Sequence, residues 1–332
     1  MQCNRLHGEL TTMTRIAIAG AAHPHVSYLT AELDHLPGAV LVAVADPSRE
    51  TAERWAAPYG AKVFTDHREM LRETAPDVVM VAGIYGDRGR AVVDALDAGA
   101  HVLADKPLCT TLEDLAAIEE AARRTGRHVT VLFEKRYYPV TLAAREIVGQ
   151  LGTIHGVTSS GPHKLNRPTR PDWFFEPERY GGVLNDLAVH DIDAALLFTG
   201  LTSGTVSGAV VGGSYGVATL SGAGAVVTAG VDWLNPAGSP VHGDYRMKLI
   251  GTQGTAELLW ARNRLVLTTH DAAPHDVPLP AGYRPAELPL QALAAGNEPD
   301  IGTARGILAT RIALLAQQSA EHGGVPIDWT VN

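Results

Sequence analysis

Cysteine is scarce: Cys3 and Cys109 are the only two in 332 residues, and neither belongs to a Cys-x-x-Cys pair. That excludes a disulfide framework and a thiolate zinc site, and it suits a reducing cytoplasm. Positive charge is also in short supply, with 27 Lys and Arg against 36 Asp and Glu, a net charge of −9. Without a clustered basic surface the chain is not a general nucleic-acid binder, and small molecules are the expected partners. The first 13 residues have no apolar stretch of the kind a secretory signal needs. They read as a disordered leader, 1–13, with Met13 an alternative start. Between Asp193 and Asp232 no charged residue occurs, yet glycines such as Gly208, Gly224 and Gly230 break the apolar runs. Strands and turns are expected there, and no membrane span.

At this length two domains are expected. Up to about residue 133, short apolar runs at 15–19, 40–45, 77–82, 101–104 and 128–133 alternate with helical periodicity at 49–59, 90–98 and 112–125. Alternating strand and helix predicts a doubly wound parallel sheet, a Rossmann-type dinucleotide-binding domain spanning 14–134. Beyond it the pattern changes. A helix at 140–150, a Pro- and aromatic-rich loop at 161–180 and then mostly strands from 205 to 269 predict an α+β domain, 135–332, with an antiparallel sheet. A hairpin is expected at Gly251-Thr-Gln-Gly254, a surface excursion at 273–290 and a closing helix at 303–321.

The first turn, Gly20-Ala21-Ala22-His23-Pro24-His25, stands where a dinucleotide fold places Gly-x-Gly-x-x-Gly, but only the first glycine remains. A helix beginning near Pro24 would still offer backbone amides to an anion. Asp46 ends the second strand, where a carboxylate can bind an adenosine ribose, favouring NAD over NADP. It equally suits a turn at Asp46-Pro47-Ser48. His23 and His25 are assigned to loop packing or cofactor contact, and no metal is expected.

Lys106, in Asp105-Lys106-Pro107, leaves the carboxyl end of a buried run and points to the crevice where open α/β sheets bind ligands. Asp186 and His190, four apart after Gly181-Gly182, are expected on one helix face. Together they form a candidate proton-transfer set. The 163–180 loop carries His163, Lys164, Arg167, Arg170, Trp173 and Tyr180, polar and aromatic groups suited to a hydroxylated ligand; Arg167 or Arg170 could instead hold a carboxylate.

Three segments in order carry a family resemblance. The run from Ala98 through Asp105-Lys106-Pro107, that from Gly181-Gly182 through Asp186, His190 and Asp193, and Leu249-Ile-Gly-Thr-Gln-Gly254 resemble motifs of the Gfo/Idh/MocA oxidoreductases. The resemblance implies an N-terminal Rossmann domain and a C-terminal domain with a large, mostly antiparallel sheet. It implies an NAD-dependent dehydrogenase of a sugar, polyol, inositol or related cyclic alcohol, working as a homodimer or homotetramer. Lys106, Asp186 and His190 would be catalytic: His190 takes the hydroxyl proton, Lys106 stabilises the alkoxide and Asp186 orients them. Gly20, Ala22, His23, His25, Asp46, Gly83, Tyr85, Asp105 and Lys106 would contact the cofactor. Two alternatives stay open: an NAD-dependent glycosidase working through transient oxidation, and a non-catalytic ligand sensor. Residues 81–88 depart from the family pattern, and Asp105 stands where the family has Glu.

Overall fold

The computed structural model describes residues 13–331, so all of the expected leader except Met13 lies outside the described residues. In the first half β1 (Thr14–Ala19), α1 (Val26–Thr30), β2 (Ala39–Ala45), α2 (Arg49–Ala56), β3 (Lys62–Phe64) and α3 (His67–Thr74) follow one another. They are succeeded by β4 (Val78–Val81), α4 (Tyr85–Asp97), β5 (His101–Asp105), α5 (Leu112–Thr125) and β6 (Val129–Leu132). The six strands make a parallel sheet in the order β3-β2-β1-β4-β5-β6. Strands β4, β5 and β6 are buried along their whole length, which is why they read as unbroken apolar runs. Helix α5 has the expected bounds because Thr111 accepts a hydrogen bond from Asp114 N at 3.1 Å and Gly126 closes the other end in the left-handed region. The order reverses between β1 and β4, and there the sheet splits open at its carboxyl edge.

The second half runs α6 (Pro139–Ile147), β7 (Ile154–Pro162), α7 (Pro177–Tyr180), α8 (Val189–Thr199), β8 (Ser203–Val211), β9 (Tyr215–Gly222) and β10 (Ala225–Asp232). It continues with β11 (Arg246–Gly251), β12 (Gly254–Leu259), β13 (Arg264–Thr269), β14 (Ala272–Asp276), α9 (Glu287–Ala294), α10 (Thr303–Glu321) and β15 (Ile327–Thr330). The nine strands form one sheet, β14-β13-β12-β11-β7-β10-β9-β8-β15, antiparallel except for the β7–β10 pair. The charge-free stretch after Asp193 supplies the end of α8 and then β8 to β10, and among the described residues no helix is long and apolar enough to cross a membrane. The hairpin joins β11 to β12, with Ile250 opposite Thr255.

One stretch differs from the expected surface excursion. After the exposed edge strand β14 the chain returns to the first sheet, where Ala286, Leu290 and Leu293 join Ile16, Ile18, Leu103 and Leu132 in one buried cluster. Arg284 also pairs with Glu32 of the first half at 3.0 Å. Apolar positions at 286, 290 and 293 fit a helix that buries one face; the prolines before them read as loop and obscured it.

Candidate functional site

Lys106 follows the last residue of β5, and its ammonium donates to the Asp186 carboxylate at 2.5 Å and to the Asp186 carbonyl at 3.2 Å. Both side chains are buried. Burial alone would raise the Asp186 pKa, but Lys106 and the Tyr180 hydroxyl beside it hold it below the usual carboxylate range. Asp186 does not sit on a regular helix. It lies in a single π-turn, Leu184–Ala188, that leads into α8, a device frequent at functional sites. Gly181 and Gly182 enter this turn at φ +78 and +92, and the Gln317 side chain fills the place a Cβ on Gly182 would take. Gln317 then accepts from Leu184 N at 3.2 Å, and Asn185 donates to the Cys109 carbonyl at 3.0 Å. The turn is tied to both halves of the chain.

Asp186 and His190, one in the π-turn and the other in the helix it leads into, take different partners. His190 Nε2 lies 3.5 Å from Glu134 Oε1. Glu134 opens the segment after β6, and its neighbours also reach α8: Lys135 binds Asp191 at 2.7 Å, and Arg136 holds Asp193 through two bonds of 2.5 and 2.7 Å. Burial, then the cations Lys106 and Lys135, push His190 well below its ordinary pKa, so the imidazole is neutral. Burial raises Glu134, against the opposing pull of His25, Lys106 and Lys135. The Glu134-Lys135-Arg136 triplet went unread, although three charges directly after a buried strand were a signal that could have found it.

Asp105 is fully buried and serves three partners. His23 Nδ1 lies 2.9 Å and His25 Nδ1 2.8 Å from its two oxygens, and Arg88 donates to it at 2.8 Å. The ligand atoms of His23, His25 and Asp105 fall within 4.8 Å of one another, a spacing that could hold a metal. Arg88, however, already supplies a cation to the same carboxylate, and its other nitrogens bind the Gly83 and Pro107 carbonyls. Burial pushes His23 down to about 3 despite Asp105. Tyr85 bonds His23 Nε2 at 3.2 Å and packs against Trp173, Phe174 and Tyr180.

The first turn works with one glycine because other groups hold it. Gly20 has φ +78, and a Cβ there would come within 2.7 Å of Gly83 Cα. Ala82 N donates to Gly20 O at 3.1 Å, and the Asp46 carboxylate accepts from Ala21 N at 2.8 Å and from Ser48 N at 2.9 Å. Asp46 thus fills the turn role read for it and also borders the opening. Helix α1 begins at Val26, two residues after Pro24, and has five residues. Between the ends of β1, β2 and β4 lies a cavity of about 1050 Å³ whose walls include Gly20, Ala22, Asp46, Gly83, Arg88 and Trp173.

The 163–180 loop divides. Tyr180 accepts from Trp233 Nε1 at 2.7 Å beside Asp186, and His163 bonds the Gly161 carbonyl at 2.8 Å under Tyr245 and Trp233. Tyr180 thus joins the Lys106 group through Asp186, while His163 is held among the aromatic rings. Trp173 faces the cofactor-side cavity instead. Lys164 is turned to the Ser239 carbonyl, Arg167 lies over the Phe175 ring and Arg170 binds Leu165 O while stacking on Phe174 and Trp233. Backbone carbonyls and ring faces capture these three cations locally.

A doubly wound sheet with a cavity at its switch point is the architecture of a dinucleotide-binding oxidoreductase; the buried Lys106–Asp186 pair at the end of β5 and His190 are not among the residues that line this cavity. Residues 14–133 match the oxidoreductase family with an NAD-binding Rossmann fold, and residues 141–257 match the GFO/IDH/MocA C-terminal domain. The chain belongs to the GFO/IDH/MocA family of NAD(P)-dependent oxidoreductases. It is 34% identical to D-glucoside 3-dehydrogenase of Escherichia coli over 56% of this chain, and the match spans 54% of that protein's length. It is 28% identical to scyllo-inositol 2-dehydrogenase (NAD(+)) of Bacillus subtilis over 52% of this chain and 50% of that one. The chain thus spans about half the length of these curated relatives. A solved Thermotoga maritima structure superimposes with a TM-score of 0.86 at 25% identity, covering 95% of this chain and all of the other.

The residues present fit a nicotinamide dinucleotide. The positive φ of Gly20 and its close approach to Gly83 leave bare backbone beside a cavity at the upper end of typical cofactor-site volumes, and Asp46 stands at its rim.

Proposed function

We propose that the protein is an NAD-dependent dehydrogenase that oxidises a secondary hydroxyl of a sugar, polyol or inositol. The observation that carries this reading is the buried Lys106–Asp186 pair set beside the neutral His190 at the carboxyl edge of the first sheet. Gly20, Ala22, Asp46 and Gly83 would hold the cofactor, which supplies the acceptor for the hydride when bound. Lys106 donates to the substrate oxygen and stabilises the negative charge that grows on it. Asp186 fixes the ammonium in place. His190, uncharged at rest, takes the hydroxyl proton. Tyr180 stands beside Asp186, and the relatives' names, a glucoside and an inositol dehydrogenase, support a neutral hydroxylated substrate. Val226 and Ile250, both opposite Gly156 on neighbouring strands and both exposed, give the large sheet a free face on which copies could pair as a dimer or tetramer.

Calorimetry with NAD, NADH, NADP and NADPH, followed by a screen of sugars, inositols and sugar acids, tests the reading. NADH is expected to bind more tightly than NADPH, and His190→Ala to lose turnover while still binding NADH. Absence of binding by all four nucleotides would leave the fold as a ligand sensor.

A further inference from the structure

The charges around His190 are unevenly matched. Facing it are Lys106 from the end of β5, Lys135 from the segment after β6, His163 from the end of β7 and His25 from the first turn. On its own element Asp186 is taken by Lys106 at 2.5 Å and Asp191 by Lys135 at 2.7 Å. Both nearby carboxylates are therefore already neutralised by a lysine. Glu134 is a further carboxylate here: its Oε1 lies 3.5 Å from His190 Nε2, and its Oε2 is buried with no hydrogen-bond partner among the described residues. His190 Nδ1 likewise has no hydrogen-bond partner among the described residues. An imidazole that must become imidazolium in a pocket holding two ammonium groups needs a counter-charge within a few ångströms, because Coulombic energies there are several times those in water.

We propose that Glu134 is the counter-ion of His190, a positioning residue that lets the buried imidazole take up the hydroxyl proton during dehydrogenation. The inference rests on the dehydrogenase reading above. A bound nicotinamide would supply the acceptor for the hydride that leaves with the C–H electron pair; the O–H proton would pass to His190, and Glu134 would keep that cation paired until the proton departs to solvent. Glu134 acts through His190 and is not assigned a contact with substrate.

The test compares wild type with Glu134→Gln and Glu134→Asp. Removing the carboxylate lowers the His190 pKa further, so the acid limb of kcat/KM for oxidation moves to lower pH while the plateau of kcat falls about a hundredfold and KM changes less than threefold. Glu134→Asp recovers part of both. NMR titration of the His190 ring in the protein without added nucleotide gives a second readout, with the same downward movement expected in Glu134→Gln. A limb and a ring titration that both stay in place in Glu134→Gln overturn the proposal, whatever happens to the rate. If wild type oxidises no sugar or polyol with either nucleotide, the dehydrogenase reading fails, and the ring titration alone still decides the counter-ion.

Discussion

Lys106 and Asp186, 80 positions apart, meet at 2.5 Å where the two sheets adjoin, and both are buried. Removing one partner strands the other as an uncompensated charge, which costs about 3–5 kcal/mol. Lys106→Met and Asp186→Leu should each lower the thermal midpoint and abolish turnover. The double variant Lys106→Met/Asp186→Leu should regain most of the stability and none of the turnover. Thermal melts and rate assays on the three proteins check this; singles as stable as wild type would contradict the pairing.

Gly20 and Gly83 face each other, but unequally. A methyl on Gly20 meets Gly83 Cα at 2.7 Å on a backbone of φ +78, whereas one on Gly83 meets Gly20 Cα at 3.1 Å with no positive φ. Gly20→Ala should therefore destabilise by about 1–3 kcal/mol, and Gly83→Ala by less. Denaturant titration ranks them, and an equal or reversed order would refute the geometry.

Asp46 holds two backbone amides at the cavity rim. Asp46→Ser should cost about 1.5–3 kcal/mol of stability from weakened charged hydrogen bonds. It should also remove the negative charge that disfavours an adenosine 2′-phosphate, narrowing the preference for NADH over NADPH at least tenfold. Calorimetry with both nucleotides measures the ratio; an unchanged ratio would remove Asp46 from cofactor selection.

Buried neutral histidines make stability depend on pH. Burial lowers His23 and His163 from 6.5 to about 3, so between those values the unfolded chain binds protons that the folded chain does not. Their contribution is fully present above about pH 6.5 and is lost as pH falls towards 3, at up to about 1.4 kcal/mol per pH unit for each group. The depressed Asp105 acts in the same direction, losing its contribution as pH drops through its folded value. The thermal midpoint should fall between pH 7 and pH 5, less steeply in His163→Gln. Parallel curves for the variant and wild type would count against a neutral buried His163.

The parts of this fold that announce themselves in sequence are those with strong local signals. Fully buried strands appear as apolar runs, α5 carries its cap and its terminal glycine, and Lys106 stands at the end of such a run. Strand β3 has three residues, of which only Phe64 is buried, too short for any periodicity. Helix α9 was hidden by prolines. Among the candidate site residues, Lys106, Asp186 and His190 converge, while the triplet at Glu134 is legible as charge after a buried strand but its pairing with His190, 56 positions away, needs the three-dimensional fold. A four-residue spacing also cannot reveal a π-turn, since that depends on how Gly182 packs against Gln317. Lys164, Arg167 and Arg170 looked available because a sequence does not show which carbonyls and rings lie next to them.

Helix α9 has a consequence for motion. Its Leu290 and Leu293 cap Ile16, Ile18, Leu103 and Leu132, so the carboxyl-terminal half supplies part of the other half's interior. A chain ending near residue 134 would leave that surface bare and should not be stable alone. Any motion that pulled α9 away from the first sheet would expose this cluster to water. Through any opening of the crevice, therefore, α9 has to travel with the first sheet, as a part of that half's interior supplied from far along the chain.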